Sequence, residues 1–371
     1  MNRPLVYYIS GHGFGHASRS IEVVNALLAR QPDRPVHIRT AAPRWLFDLT
    51  VRGPFVFDAL DTDPGVVQHD SLSLDAAETV RRATAYAGAL PDLAAAEARV
   101  LRSLEPAFVV ADVPPLGLEA ARLAGVRATA LGNFTWDWIY RDYPGGETAA
   151  DVIGEAYRRA GRALRLPLAG GFDTFPEVTD LPFIARHARH APADTRARLG
   201  LPDGKLALVS FGGYGVAGID LDALSRTAGW TLLVSASVPF GPDRVPLAQA
   251  AARGSLFPLD EPAMYARGLR YEDVVAAVDV VVTKPGYGII SECLANDTAL
   301  VYTDRGHFIE YDVLVREMPT HVRCAYLPQA EILRGDWGPA LDAVLATARP
   351  AAPLGTNGAA VAADWILAHL D

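Results

Sequence analysis

The chain has 371 residues, half of them apolar, and a formal net charge of −9 at pH 7. That length exceeds one ordinary core and predicts two α/β domains, while the acidic balance disfavours nucleic acid or an anionic membrane as the main partner. Cys293 and Cys324 are the only cysteines, which excludes a disulfide framework or cysteine-based zinc set; with no leader pattern and no apolar run of spanning length, a soluble cytoplasmic protein is expected.

In chain order, residues 5–10 form an apolar run that predicts a buried strand. It empties into Gly11-His12-Gly13-Phe14-Gly15-His16-Ala17-Ser18-Arg19, where a helical pattern begins. Glycines at a strand-to-helix turn let backbone approach a ligand, and the free N–H groups of the helix start favour negative charge. A dinucleotide fingerprint needs a third glycine where this chain has His16, so the Rossmann cofactor reading weakens. An imidazole at that mouth suits removal of a proton from a bound hydroxyl, its ordinary pKa lying near 6.5. Either His12 or His16 can fill that role on sequence alone.

Short strands are predicted at 36–40, 55–57, 108–111 and 128–131, with helices at 21–30 and in an Ala-rich stretch over 75–103. This alternation points to a parallel sheet. Residues 166–202 carry Pro167, Gly170-Gly171, Pro176, Pro182 and Pro192 without sustained periodicity, and read as the connection between domains. A second set of strands is predicted at 206–210, 231–235, 256–258, 280–283, 299–302 and 324–327. Its first strand runs into Phe211-Gly212-Gly213-Tyr214-Gly215. Ligands of open α/β sheets bind at that carboxyl end, so two such domains would face each other across a cleft.

The densest cluster of the second half is Lys284-Pro285-Gly286-Tyr287-Gly288-Ile289-Ile290-Ser291-Glu292. Free amides of this turn suit a diphosphate, and Glu292, one turn into the following helix, suits the hydroxyls of a ribose. Downstream, His307 and Glu310 leave the next strand on the same side and lie within reach of sugar hydroxyls. Asn357 predicts the N-cap of a last helix that buries Val361, Trp365, Ile366 and Leu370 on one face. The domains are therefore read as 1–165, a connection over 166–202, 203–350, and a terminal helix over 351–371.

Taken together, the glycine turns and their spacing resemble the GT-B glycosyltransferases, in particular the MurG-like group and the plant and antibiotic-type enzymes that use nucleotide sugars. Residues 11–19, Val67-Gln68-His69-Asp70-Ser71, Val109-Val110-Ala111-Asp112-Val113 and Asn133-Phe134-Thr135-Trp136-Asp137-Trp138-Ile139-Tyr140 are similar to the glycosyltransferase-like N-terminal region of plant L-arabinokinases. No galactokinase-like phosphate loop follows, so the resemblance implies a stand-alone transferase-like protein and does not imply sugar kinase activity.

That resemblance implies two Rossmann-like parallel-sheet domains facing across a cleft, the first for an acceptor and the second for a nucleoside-diphosphate sugar. It places the catalytic base on His16 and the aspartate that orients it on Asp112. Gly13, Gly15, Gly212, Gly213, Tyr214, Lys284, Gly286, Tyr287, Gly288, Ile289, Ser291, Glu292, His307 and Glu310 would hold the donor. His12, His69, Asp70, Asn133, Trp136 and Asp137 would shape the acceptor pocket. Retaining relatives carry a glutamate where this chain has Lys284, which favours inversion, and a lysine there balances leaving-group phosphate without a metal. The co-substrate is then the nucleotide sugar itself, with no cofactor. A nucleotide-sugar epimerase of the same fold and a non-catalytic nucleotide-sugar-binding protein are the rival readings, and a homodimer stays open.

Overall fold

The computed structural model describes residues 2–212, 215–216, 218–235, 254–351 and 353–370. The chain enters through β1 (Leu5–Ile9), β2 (Val36–Thr40) and β3 (Val56–Ala59). A short hairpin of β4 (Val67–Gln68) and β5 (Leu74–Asp75) follows, then β6 (Phe108–Asp112), β7 (Ala128–Phe134), β8 (Arg162–Gly170) and β9 (Glu177–Asp180). Apart from the hairpin these make one parallel seven-stranded sheet in the order β3-β2-β1-β6-β7-β8-β9. The second sheet is parallel and six-stranded, with β10 (Lys205–Ser210), β11 (Trp230–Ser235), β12 (Leu256–Leu259), β13 (Val280–Thr283), β14 (Ala299–Tyr302) and β15 (Cys324–Tyr326) in the order β12-β11-β10-β13-β14-β15.

Helices cover both faces of each sheet, which is why β1, β6 and β13 read as unbroken apolar runs rather than alternating ones; all five residues of β1 are buried. Two glycines bear on helix placement, one through its backbone conformation and one through close approach. Gly13 stands at the N-cap of the Phe14–Arg30 helix with φ +74°, a conformation that disfavours any residue with a Cβ. Gly117 lies where a Cβ would come within 2.5 Å of the Tyr8 ring, so the Pro115–Ala124 helix rests directly on β1.

The order of each sheet reverses beside its first strand, between β1 and β6 and between β10 and β13. Such switch points open a crevice at the carboxyl ends of the strands. Both glycine turns described above leave strands at these two places.

The segment read as an interdomain connection contributes to the first sheet instead: β8 continues to Gly170 and β9 follows. Pro167 lies inside β8, next to Leu168 at φ +59° and opposite an irregular register between Gly132 and Phe134. Proline is tolerated in a sheet at such irregularities. After residue 351 the chain returns to the first domain. Its Gly358–Ala368 helix packs along the Phe14–Arg30 helix, with Arg30 Nε 2.6 Å from Asp364 Oδ1 and Trp365 edge-on to Phe108. Asn357 is the N-cap residue, but its side chain makes no capping bond.

The domains interlock. Between β4 and β5, the Ser71 N–H donates to the Gly215 carbonyl at 3.2 Å, the Ser71 hydroxyl donates to the Phe211 carbonyl, and Leu72 accepts from the Gly306 N–H at 2.9 Å. Leu72 is buried in the core of the second domain, and Phe308 in that of the first. Among the described residues no helix is long and apolar enough to cross a membrane.

Candidate active site

Strand register explains the centre of the first turn. β1 and β6 pair Ile9 with Asp112, so the last residue of β6 stands beside the backbone that begins the glycine turn. The helix from Phe14 then presents His16, Arg19 and Ser20 on one face, at the i, i+3 and i+4 positions that align on a helix. All three converge on the one carboxylate. His16 Nδ1 lies 2.9 Å from Asp112 Oδ1, Arg19 donates from Nη2 to Oδ1 at 2.5 Å and from Nε to Oδ2 at 2.7 Å, and the Ser20 hydroxyl donates to Oδ2 at 2.8 Å.

Asp112 is fully buried. Burial pushes its pKa upward, but the Arg19 guanidinium and the hydrogen bonds from Arg19 and His16 outweigh this and hold it at about 2. It is therefore an anion at neutral pH. With Nδ1 of His16 donating to it, Nε2 is the nitrogen left to take a proton. Arg19 Nη2 also lies 2.9 Å from Nδ1, so this guanidinium competes with Asp112 for that nitrogen and bears on the tautomer.

Across the cleft, Lys284 and Gly286 follow β13, and the Tyr287–Ala295 helix begins with no side-chain cap and no acidic residue in its first turn. Its leading N–H groups belong to the end of the helix that meets Gly15 of the first domain, where free amides favour an anion. A Cβ on Gly288 would lie 3.6 Å from the Cα of Gly15, so the two turns meet. Only a narrow crevice of about 10 Å³ remains between them, lined by Gly15, Ser18, Arg19, Arg186, Gly288 and Glu292 among others. A larger concavity of about 450 Å³ around Arg226, Asp336 and Asp342 contains none of the residues of this site.

No family model matches the chain. It is 31% identical over 370 residues to the L-arabinokinase of Arabidopsis thaliana, a match covering 96% of this chain and 33% of the plant protein. The chain thus spans about a third of the length of that curated relative, in agreement with a resemblance to one region of it. Among solved structures, the glycotransferase of kitacinnamycin superposes over 100% of both chains with a TM-score of 0.63 at 18% identity. The calicheamicin glycosyltransferase CalG4 gives 0.61 at 16%, covering 100% of this chain and 99% of its own. Phytolacca americana UGT2, solved with UDP-2fluoro-glucose and pterostilbene, gives 0.59 at 13%, covering 99% and 94%. The fold is that of the GT-B glycosyltransferases.

Within this GT-B frame, several residues expected at the donor side are present but engaged. Glu292 is buried and accepts from Arg186, whose Nε lies 2.8 Å from Oε1; Arg186 also stands 3.4 Å from Glu272. Burial raises the Glu292 pKa against the pull of Arg186. The Ser291 hydroxyl is spent on the Gly288 carbonyl at 2.9 Å, and Ile289 packs on the apolar core.

Tyr287 is a correction. Its ring stacks on Phe183 and carries the Arg19 guanidinium at 5.3 Å, and its hydroxyl accepts from the Ile184 N–H at 2.9 Å. Its side chain fastens the helix to the interdomain segment and has no surface left for a ligand. His307 is exposed, with Nε2 2.7 Å from Asp142 Oδ2, and Glu310 is buried. Gly212 adopts φ +74° after β10, whereas Gly213 and Tyr214 lie outside the described residues.

The acceptor side needs more revision. Trp136 has no exposed surface: it stacks on Tyr140 at 5.5 Å and lies behind His16 at 6.3 Å. It braces the imidazole from within the core and offers no face to a sugar. Asp137 is buried too, accepting from Thr174 at 3.2 Å against the Glu147–Ala160 helix. Asp70 accepts from the N–H groups of Leu72 and Ser73 at 2.8 and 2.9 Å and so shapes the hairpin turn. His69 is exposed and 3.7 Å from Asp75. Asn133, wholly buried, accepts from Arg19 Nη1 at 2.6 Å and donates to Glu310 Oε1 at 2.8 Å, joining the domains rather than lining a pocket.

His12 keeps a place at the cleft. Its Nε2 lies 3.1 Å from the Gln68 amide, whose oxygen accepts from Lys284 at 3.3 Å. Burial, then neighbouring His16, Arg305 and Lys284, lower its pKa to about 3. Of the two histidines, only His16 has a carboxylate partner here.

Four residues of the site escaped the sequence reading: Arg19, Asp63, Gln68 and Arg186. Asp63 accepts from the Ser10 hydroxyl at 3.0 Å, and burial raises its pKa to about 6. Arg19 had a usable signal, since it lies three residues beyond His16 in a helix. The others sit in segments without periodicity, and only the folded chain brings them to the cleft.

Proposed function

We propose that the chain is an inverting, metal-independent glycosyltransferase that moves a sugar from a nucleoside-diphosphate sugar to a small-molecule acceptor. The observation that carries this reading is the buried His16–Asp112 pair, set at one switch point of a GT-B fold and opposed by the uncapped Gly286 turn at the other.

In this mechanism His16 Nε2 takes the proton of the acceptor nucleophile as its lone pair attacks the anomeric carbon. The bond from that carbon to the diphosphate oxygen breaks, and its electron pair leaves with the nucleoside diphosphate. Asp112 stabilises the imidazolium that forms. The N–H groups from Gly286 onward and the ammonium of Lys284 receive the departing charge. One displacement at one carbon inverts its configuration. Glu292 accepts from the ribose hydroxyls once Arg186 releases its carboxylate.

The test is a thermal-shift screen against nucleoside diphosphates and their sugars, because a ligand bound by the native state raises the melting midpoint in proportion to its saturation. A shift with one diphosphate, followed by acceptor-dependent release of that diphosphate from its sugar ester, supports the reading. Shift without release, or conversion of the nucleotide sugar to its epimer without acceptor, defeats it in favour of a sensor or an epimerase.

A further inference from the structure

Arg305 is a strongly charged group at the cleft that the proposed mechanism leaves unused. It lies three residues beyond β14, and its side chain is nine-tenths buried, at 8% exposure. The guanidinium covers the Phe308 ring at 4.2 Å, and its Nε has no hydrogen-bond partner. Among the described residues neither Arg305 nor Lys284 forms an ion pair. Glu310, the acidic group that most favours the charged form of Arg305, already accepts from Asn133. A buried arginine is ordinarily paired, because an uncompensated charge away from water is costly.

Topology separates this charge from the diphosphate. The switch point lies between β10 and β13, where Lys284 and the Gly286 amides stand. β14 flanks β13 on the side away from β10, with Thr283 paired to Tyr302, so Arg305 emerges about one strand spacing, roughly 4.8 Å, beyond the diphosphate turn. The peptide leading to Glu310, expected at the sugar hydroxyls, starts from it. A planar guanidinium with free N–H groups is matched to a carboxylate, which it can bind through two parallel hydrogen bonds.

We infer that Arg305 recognises a carboxylate on the transferred sugar, so that the donor is a nucleoside-diphosphate uronic acid rather than a neutral hexose ester. This rests on the glycosyltransferase reading above, and it names the class of sugar at that same site.

Calorimetric titration of the whole chain tests it. The diphosphates of uridine, thymidine and guanosine are titrated first, then the glucose and glucuronate esters of whichever binds. The expected result is a glucuronate ester bound at least about tenfold more tightly than the glucose ester, a gap of about 1.4 kcal/mol. Arg305→Gln should bring the two esters level while changing affinity for the bare diphosphate less than twofold, and Arg305→Lys should restore part of the preference.

Equal affinity of the unaltered chain for both esters overturns the inference and leaves the transferase reading standing. A fall in bare-diphosphate affinity as large as that for the esters also overturns it, because Arg305 would then serve the leaving group. Failure of every diphosphate to bind removes the underlying reading itself.

Discussion

The two glycine turns occupy equivalent places in their domains, yet they balance charge in opposite ways. At the first, Asp112 is met by His16, Arg19 and Ser20 from a single helix face, and Arg19 passes on to Asn133. At the second, Lys284 and, one strand beyond it, Arg305 form no ion pair among the described residues, and Glu292, expected at the ribose, is claimed by Arg186. The first turn is organised before any substrate arrives, as electrostatic catalysis requires. The second keeps cationic groups in a state that an anion would improve. Machinery and receptor are thus distinguishable by whether the protein satisfies its own charges.

The comparison breaks most visibly at the first turn. His16→Ala should lower turnover by about a thousandfold, within the usual range for a positioned base, and leave the thermal shift with nucleoside diphosphate nearly intact. Asp112→Asn should cost a similar factor through the imidazole tautomer. Asp112→Ala, which strands Arg19 beside an uncharged methyl group, should in addition destabilise the fold by about 3–5 kcal/mol in chemical denaturation. Full turnover in His16→Ala would transfer the role of base elsewhere.

At the second turn, Glu292→Gln should weaken a nucleoside diphosphate about tenfold, or about 1.4 kcal/mol. The 2′,3′-dideoxy counterpart should bind equally to both proteins, since it lacks the hydroxyls the carboxylate receives. Loss of both together would make Glu292 a structural partner of Arg186 alone.

A smaller, graded effect concerns pH. Burial first, then Arg305, bring the Lys284 pKa down to about 7, against the pull of Glu310 and Asp70. An anionic ligand prefers the charged amine, whose share falls from about one half at pH 7 to about one hundredth at pH 9. Diphosphate affinity should therefore decline over that interval. Lys284→Arg, which stays charged, should flatten the titration. The smallest change is expected at His69→Ala, less than twofold in any steady-state constant, because that ring is exposed and lies 3.7 Å from Asp75.

Which parts of this were readable in advance follows from the physics of each signal. Strands at 36–40, 280–283 and 299–302 coincide with β2, β13 and β14, because a parallel strand buried on both faces is an apolar run bounded by turns. The β4–β5 hairpin escaped because two-residue strands have no period to detect, and β8 and β9 because prolines interrupt the pattern. Trp136 was misplaced for a different reason. An aromatic ring after a strand serves core or ligand equally well, and only its neighbours decide. Asp112 was found through resemblance. Arg19 was not, since an arginine on a helix ordinarily reads as solvated surface.

The exchange of Leu72 and Phe308 between the domains bears on the tempo of the molecule. Parting the halves must withdraw each of these side chains from its neighbour's interior, at roughly 1.5–3 kcal/mol apiece. On the proposed mechanism the spent nucleotide would leave through the same seam. An unlatching of two oily plugs would then stand between bond change and release, and trimming either plug should quicken product escape before it touches the chemistry.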